Sequence, residues 1–238
     1  MADTGRRKPL IIAVDGPASS GKGTVARTVA LLLGYQYIDT GAMYRAVALV
    51  ARERGISWDA EDAVAEVAAG LHFAFSFDGE LLQVLVDGRD VTADIRQEHI
   101  GQGASDVSRH PTVRRALLGL QRALARRGGV VMDGRDIGTV VLPDADLKVY
   151  LDAKVEERAQ RRHAELSAKG EVVGFGEVLE ALRARDKQDM ERPVAPLCQA
   201  EDAVFLDSTH LTIEEGVDAV LELAKARGAK AGGAGRLD

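Results

Sequence analysis

Gly16-Pro17-Ala18-Ser19-Ser20-Gly21-Lys22-Gly23-Thr24 is the stretch whose reading decides the fold. It follows an apolar run, Leu10-Ile11-Ile12-Ala13-Val14, and leads into Val25, Val29, Leu32 and Leu33. The run has the character of a buried strand, and the later residues recur at i, i+4, i+7 and i+8, one face of a helix. Glycines between strand and helix allow positive φ angles, which turn backbone N–H groups inward. The helix N-terminus adds free N–H groups and its dipole, so the loop suits a polyphosphate. The spacing G-x-x-x-x-G-K in this context is a P-loop, with Lys22 able to reach the β and γ phosphates of a nucleotide. One departure stands out: the hydroxyl residue expected directly after the lysine is replaced by Gly23, and Thr24 follows. The hydroxyl is therefore displaced, and Thr24 is expected to reach a Mg²⁺ ion only through water.

Outward from this loop, the pattern alternates. Tyr35–Ile38 reads as a second strand ending at Asp39-Thr40-Gly41, and a helix follows to about Glu53, capped by Asp39 or Thr40. Asp59–Ala69 reads as a short alanine-rich helix. Leu71, Phe73, Phe75 and Phe77 then alternate with small or polar residues, as do Leu82, Val84 and Val86, with turn signals at Asp78-Gly79 and Asp87-Gly88. This predicts a small antiparallel meander over 71–91; three of the chain's five phenylalanines lie in it, so it is expected to hold its own small core. Helices are predicted over Ile95–Ser108, broken before Pro111, and over Val113–Arg126. Val130–Met132 is a buried strand ending at Asp133-Gly134-Arg135-Asp136, and Leu147–Leu151 another. A charged helix is expected from Ala153 to about Ala168, a loop over Lys169–Gly176, and a helix over Val178–Glu191. Ala203–Leu206 is the last strand, and Thr212 with Glu215 forms a capping box for the last helix.

Five apolar strands separated by helices predict an α/β fold: a five-stranded parallel sheet with helices on both faces, plus the small antiparallel β insert. Ligands in such sheets bind at the carboxyl ends of the strands, where the P-loop, Asp39-Thr40, Asp133–Asp136 and Asp207–Thr209 all fall. The expected organisation is a single domain over 9–227. Its core comprises 9–38, 128–152 and 200–227, with the insert-bearing region over 39–127 and a charged helical region over about 153–192. Residues 1–8 and 228–238 read as flexible tails.

Composition narrows the function. The chain has 238 residues, 46% hydrophobic and 29% charged, as in globular proteins with ample core. A net charge of −6 argues against general nucleic-acid binding, which needs a basic face. Cys198 is the single cysteine, which excludes an internal disulfide and a multi-cysteine zinc site; as a residue type it is expected to be buried. Arg6, Arg7 and Lys8 before the first apolar run faintly suggest a signal peptide, but the run is too short and continues into the P-loop. No stretch is long enough to span a bilayer. A cytoplasmic location is expected.

Several charged groups are spaced to converge. Arg158, Arg161 and Arg162 share a helix face, as do Arg185, Asp189 and Arg192. Each set reads either as a solvated face with local ion pairs, with Glu156 and Glu157 near enough to supply them, or as cations for a moving phosphoryl group. Phosphoryl transfer rests on positioning and cationic stabilisation, so the P-loop favours the second reading. Tyr44-Arg45 is either core plus surface or an anion site. Asp133 could hold Mg²⁺ through water or could serve as a turn or capping residue.

Taken together, Gly16–Thr24, Asp39-Thr40-Gly41-Ala42-Met43-Tyr44-Arg45, Asp133-Gly134-Arg135-Asp136-Ile137-Gly138-Thr139 and Arg192-Pro193-Val194-Ala195-Pro196-Leu197 resemble bacterial cytidylate kinases, P-loop nucleoside monophosphate kinases. The resemblance runs from about residue 9 to 227 and implies transfer of the γ-phosphoryl of ATP to CMP or dCMP, with Mg²⁺. It implies that Gly16, Pro17, Ala18, Ser19, Ser20, Gly21, Lys22, Gly23 and Thr24 bind ATP. Arg45, Arg135 and Arg192 would hold the acceptor phosphate, and Ser105, Arg114 and Asp136 would read cytosine. Arg185 and Asp189 would face the sugar, and Thr40 and Tyr44 would line the same pocket. Arg158, Arg161 and Arg162 would belong to the lid; Lys22, Arg158, Arg162, Arg135 and Arg192 would be the catalytic cations. No direct metal ligand is assigned. A monomer without nucleic-acid or membrane partners is expected.

The same residues admit three rival readings. A P-loop kinase for another monophosphate or small acceptor is the nearest. A nucleotide switch is disfavoured because neither Asp-x-x-Gly nor Asn-Lys-x-Asp is found. A vestigial P-loop in a structural protein is disfavoured by the intact Lys22 and the surviving arginine sets.

Overall fold

The computed structural model describes residues 9–78 and 81–230. Both expected tails fall wholly or partly outside the described residues, as does Gly79 of the expected Asp78-Gly79 turn. In chain order the elements are β1 (Ile11–Asp15), α1 (Lys22–Leu33), β2 (Gln36–Asp39), α2 (Thr40–Glu53), α3 (Glu61–Gly70), β3 (Phe73–Asp78), β4 (Leu81–Val86) and β5 (Arg89–Asp90). Then come α4 (Glu98–Val107), α5 (Pro111–Ala125), β6 (Val130–Gly134), β7 (Leu147–Asp152), α6 (Val155–Ala168), α7 (Phe175–Glu191), β8 (Val204–Asp207) and α8 (Ile213–Ala226). The chain divides into two compact units, one of Met1–Ile38 with Ala125–Asp238, the other Asp39–Leu124.

The first unit is built on a five-stranded sheet in the order β2-β6-β1-β7-β8. β1 pairs in parallel with β6 and β7, and β7 with β8. Central β1 is apolar because both its faces are covered: Ile12, Ala13 and Val14 are fully buried. The register sets Asp15 beside Gly134 on one side and Tyr150 on the other, and Asp152 beside Asp207. The strand ends that carry polar residues are thus level with each other. α1 packs its Val25 and Val29 inward and ends at Gly34, whose φ of 65° is the left-handed cap that glycine adopts without strain. α8 begins as expected. Glu215 N–H donates to Thr212 Oγ1 (3.2 Å), and Thr212 N–H donates to the Glu215 carboxylate (2.8 Å).

In the second unit, β3, β4 and β5 form the antiparallel meander, and Asp87 and Gly88 turn it with φ of 50° and 81°. Its core is aliphatic. Leu82, Val84, Val86 and Val91 are buried, whereas Phe73 and Phe75 stack at 6.4 Å and are only half-buried.

Three predicted boundaries move. The helix expected over Ile95–Ser108 is split: Asp94–Arg96 is a 3-10 turn, Gln97 is extended (ψ 140°), and α4 starts at Glu98. Pro111 does not merely end a helix but opens α5, at the first helical position where its missing N–H costs nothing. α7 starts at Phe175, inside the expected loop, because the Glu177 carboxylate accepts the Gly174 N–H at 3.0 Å and caps it earlier. Residues Ile137–Val141, read as no element, form a π-helical turn. Cys198, expected to be buried, is exposed. Among the described residues no helix is long and apolar enough to cross a membrane.

Candidate active site

The loop between β1 and α1 takes three positive φ angles, at Gly16 (153°), Ser19 (60°) and Gly21 (88°). A Cβ at Gly16 would run into the carbonyl of Leu151, so the chain can pass there only as glycine. Gly21 caps α1 without any side chain, which leaves the first N–H groups of the helix to the loop's concave side. Lys22 is buried and its Nζ donates to the carbonyl of Pro17 (3.3 Å), across the loop it follows. Ser20 is 1% exposed, and its Oγ has no hydrogen-bond partner among the described residues. A buried hydroxyl left unpaired is costly unless a ligand satisfies it, and a phosphate oxygen would do so. Thr24 is exposed.

Beside this loop Asp133, at the end of β6, accepts a hydrogen bond from the Tyr37 hydroxyl (3.0 Å). A Cβ on Gly23 would lie 3.4 Å from Asp133 Oδ2 and 3.5 Å from the Tyr37 hydroxyl. The glycine after the lysine thus lies bare against a buried carboxylate, whose oxygens are the chemistry that a hydrated divalent cation would need. Among the described residues no cluster of three or more His, Cys, Asp or Glu forms a direct metal cage.

Asp15 ends β1 and is buried. Its Oδ1 accepts the Ile137 N–H (2.8 Å) and its Oδ2 the Gly138 N–H (2.7 Å). Burial pushes its carboxyl up to about 6, against the pull of those two N–H groups.

Two of the motif arginines meet one carboxylate. Arg135 Nε donates to Asp189 Oδ2 at 3.0 Å, and Arg192 Nη1 lies 3.8 Å from Asp189 Oδ1. Arg192 Nη2 lies 3.5 Å from Asp136 Oδ1. Arg192 and both carboxylates are buried. Burial would raise the Asp189 carboxyl, but Arg135, Arg185 and Arg192 together hold it below the usual carboxylate range. The helical spacing of Arg185, Asp189 and Arg192 on α7 brings this about, since i, i+4 and i+7 share a face. The chain then folds back. Arg192 Nε donates to the carbonyl of Ala195 (2.6 Å), and Ala195 sits at φ 51°.

The α6 arginines fare differently. Arg158 is 4% exposed and grips Asp186 of α7 with two bonds (3.2 and 2.6 Å). It also donates to the carbonyls of Ala18 (3.1 Å) and Ala153 (2.9 Å). Arg161 donates to the carbonyl of Ser208 (2.6 Å) and approaches that of Ser20 (3.4 Å). Arg162 pairs with Glu165 (2.6 Å). The partners considered from sequence, Glu156 and Glu157, are not those found for Arg158 and Arg162; Glu156 instead pairs with Arg183 (3.1 Å).

The second unit carries its own set. Asp39 caps α2 through Oδ1, which accepts the Ala42 N–H (2.8 Å), while Oδ2 accepts from Arg45 (2.7 Å). A Cβ on Gly41 would press on both, 3.0 Å from Asp39 Oδ1 and 3.1 Å from Arg45 Nη1. That contact explains the order Asp-Thr-Gly before an arginine. Arg45 Nε is buried with no partner among the described residues. Arg114 lies over the face of Tyr44, 5.4 Å from its centroid, and donates to the carbonyl of Ser108 (3.2 Å). The Ser108 hydroxyl donates in turn to the carbonyl of Ser105 (2.9 Å). Thr40, Ser105 and Arg114 are all buried.

The sequence missed Asp15 and Asp186. Each is an acidic residue without a motif of its own; the only available signal was position, one at a strand end beside the P-loop and one on α7 between Arg185 and Asp189.

Comparison with known proteins is consistent across the chain. The cytidylate kinase family model matches residues 12–226. A cytidylate kinase of Chromobacterium violaceum is 51% identical over 212 residues, covering 89% of this chain and 94% of the relative. One from Geobacillus sp. is 47% identical, covering 93% and 99%. Among solved structures, an uncharacterised protein from Eubacterium ventriosum superposes with a TM-score of 0.52 at 10% identity, covering 91% of this chain and 99% of that one, a likeness of fold. The chain belongs to the cytidylate kinase family.

Proposed function

We propose that this protein phosphorylates CMP and dCMP at the expense of ATP, giving CDP or dCDP and ADP in pyrimidine nucleotide metabolism, as a monomer in the cytoplasm. The observation that best supports the acceptor side is the sharing of Asp189 by Arg135, Arg185 and Arg192. Three guanidiniums around one carboxylate favour a further anion, and a phosphate monoester accepts guanidinium bonds in pairs. Arg135 and Arg192 hold the acceptor phosphate, as does Arg45. Arg185 and Asp189 face the sugar, with Thr40 and Tyr44 lining the nucleoside. Asp136, Arg114 and Ser105 read the base.

Gly16–Thr24 bind the donor triphosphate through backbone N–H groups, and Lys22 places its charge on the transferring phosphoryl. An acceptor-phosphate oxygen attacks the γ-phosphorus, the bond to the β-phosphate oxygen breaks, and ADP leaves with that electron pair. The protein's work is alignment of the two nucleotides and stabilisation of charge on the moving group. Arg162 of the lid serves the latter, and Arg158 serves it through the lid and the Ala18 carbonyl that it holds. When bound, Mg²⁺ would neutralise charge on the donor phosphates; Asp133, with Thr24, would hold it through water over Gly23.

The test is steady-state ADP release with ATP and a panel of CMP, dCMP, UMP, AMP and GMP. Turnover is expected with CMP and dCMP and to be far slower with UMP; equal turnover with AMP or GMP, or none with any acceptor, would overturn the proposal.

A further inference from the structure

The carboxylate of Asp15 has no part in the chemistry above, yet it is buried and spends both its oxygens on backbone N–H groups. It accepts the N–H groups of Ile137 (2.8 Å) and Gly138 (2.7 Å), residues 122 and 123 positions away in the chain. The Ile137 N–H belongs to the peptide that follows Asp136. The other side of that same peptide is also held, since the Asp136 carbonyl accepts the N–H groups of Val140 (2.9 Å) and Val141 (3.1 Å). The π-helical turn Ile137–Val141 supplies the second clamp, and Asp15 supplies the first. With its following peptide fixed on both edges, Asp136 has one ψ (26°), and its side chain leaves the backbone in one direction, toward Arg192.

Gly138 leaves this approach unobstructed. A Cβ there would lie 3.4 Å from Asp15 Oδ2 and 3.1 Å from the Lys148 side chain. The carboxylate therefore meets bare backbone. Asp15 also directly precedes Gly16, so the residue that grips the Asp136 peptide is the one from which the P-loop springs.

We propose that Asp15 is a positioning residue for base selection: its two carboxylate oxygens fix the peptide after Asp136 and so aim the Asp136 carboxylate at the cytosine amino group. The inference rests on the reading that Asp136 reads the base. A site built to bond one group rejects its absence strongly only if the partner is held rigidly, so loosening the peptide lowers discrimination before it lowers turnover. A second-sphere contact of this kind acts on the CMP:UMP ratio, whereas a residue that merely supports the fold or the P-loop would change both substrates alike or change the KM for ATP.

The test uses the full chain and the ratio of kcat/KM for CMP to that for UMP. Asp15→Asn keeps the size of the side chain but turns an amide NH₂ toward one of the two N–H groups, so one bond is lost. Expected is a narrowing of the ratio by about tenfold, the effect of one charge-assisted bond, with the KM for ATP moving less than about threefold. Gly138→Ala, whose methyl would press on the Lys148 side chain (3.1 Å) and touch Asp15 Oδ2 (3.4 Å) beside the second of the two bonds, should narrow the ratio in the same sense and serves if Asp15→Asn fails to fold. The double variant Asp15→Asn with Asp136→Asn should narrow the ratio no further than Asp136→Asn alone, because both act through one contact. If Asp136→Asn narrows the ratio and neither Asp15→Asn nor Gly138→Ala does, the inference is wrong while the base-reading assignment stands. If Asp136→Asn itself leaves the ratio unchanged, the base-reading assignment fails and the inference falls with it. If Asp15→Asn raises only the KM for ATP, its role is support of the P-loop and the proposal is overturned.

Discussion

Two arginine clusters of the first unit look alike in sequence and differ in the fold. Arg158 and Arg161 on α6, and Arg185 and Arg192 on α7 with Arg135 after β6, are spaced to share helix faces or strand ends. Arg158 meets two carboxylates, Asp186 and, at 3.8 Å, Asp152, and spends its other donors on the carbonyls of Ala18 and Ala153. Around Asp189 the guanidiniums gather instead: Arg135 and Arg192 both contact its carboxylate, Arg185 acts on it, and Asp136 lies 3.5 Å from Arg192. A guanidinium gripped by a carboxylate through two bonds and by backbone carbonyls is a brace. Guanidiniums that share one carboxylate are, on the reading proposed above, a receptor for an anion. What separates the two clusters is the arrangement of partners that the fold delivers, and that arrangement is invisible in helical spacing.

The comparison can be broken in order of expected effect. Lys22→Ala fixes the scale, because on the proposed reading its ammonium meets the transferring phosphoryl. Its kcat should fall about a hundredfold or more with the thermal midpoint nearly unchanged, and an unchanged kcat would remove the loop from the mechanism. Arg135→Ala and Arg192→Ala come next. Each should raise the KM for CMP and lower kcat, for a loss of about ten- to a hundredfold in kcat/KM, with the KM for ATP little changed. Their cost in stability should be modest, since Asp189 keeps two guanidiniums in either variant. A change confined to the KM for ATP would place these arginines in the donor subsite.

Arg158→Ala should show the opposite profile. Removing one partner of a buried pair leaves Asp186 uncompensated, a loss of about 3 kcal/mol, or a midpoint lowered by roughly 6–12 °C for a chain of this size. The measurement is thermal unfolding without nucleotide. A variant that unfolds at the wild-type temperature would show that Arg158 is not a brace. Its activity should also fall, through the lid or through the Ala18 carbonyl it holds.

The smallest effect is electrostatic and contrasts Asp15 with Asp189. Asp15, raised by burial to about 6, binds its proton more tightly folded than unfolded, where the ordinary value is 3.8. Its share of stability therefore rises as pH falls through 6 and is fully gained below 3.8. Asp189, held below its ordinary value by the three arginines, contributes stability that is present at neutral pH and is lost only in acid, as pH falls through its folded value. Between pH 7 and pH 5 the wild type should gain about 1 kcal/mol relative to Asp15→Asn. Parallel denaturation curves at the two pH values check this; a difference that stays constant would mean that Asp15 does not titrate in that window.

Much of this was legible in the sequence because it was periodic or local. The P-loop, the alternating meander, the Thr212–Glu215 box and the Asp39 cap each depend on residues within a turn or two of each other. The five-stranded sheet followed from apolar runs between helices. What escaped was long-range satisfaction. No spacing rule connects Asp15 to Ile137 and Gly138, or Arg158 to Asp186 and the Ala18 carbonyl, because those partners are chosen by the sheet order. The turn at Ile137–Val141 escaped for the same reason: its sequence is a plain apolar run, and it is π-helical where Asp136 and Asp15 take up its N–H groups from opposite ends. Gln97 interrupts a helix that hydropathy alone would have continued.

The claim that the Asp189 cluster is an anion receptor is tested most directly by calorimetric titration of CMP and of cytidine, without ATP, into wild type and Arg192→Ala. The two ligands differ only in the phosphate, so the ratio of their affinities isolates what the guanidiniums add. Wild type should bind CMP at least about a hundredfold more tightly than cytidine, as expected for charge-assisted bonds to a phosphate, and the gap should shrink by about tenfold or more in Arg192→Ala while the affinity for cytidine is retained. An equal gap in the two proteins would contradict the account and make the cluster a structural network like that of Arg158.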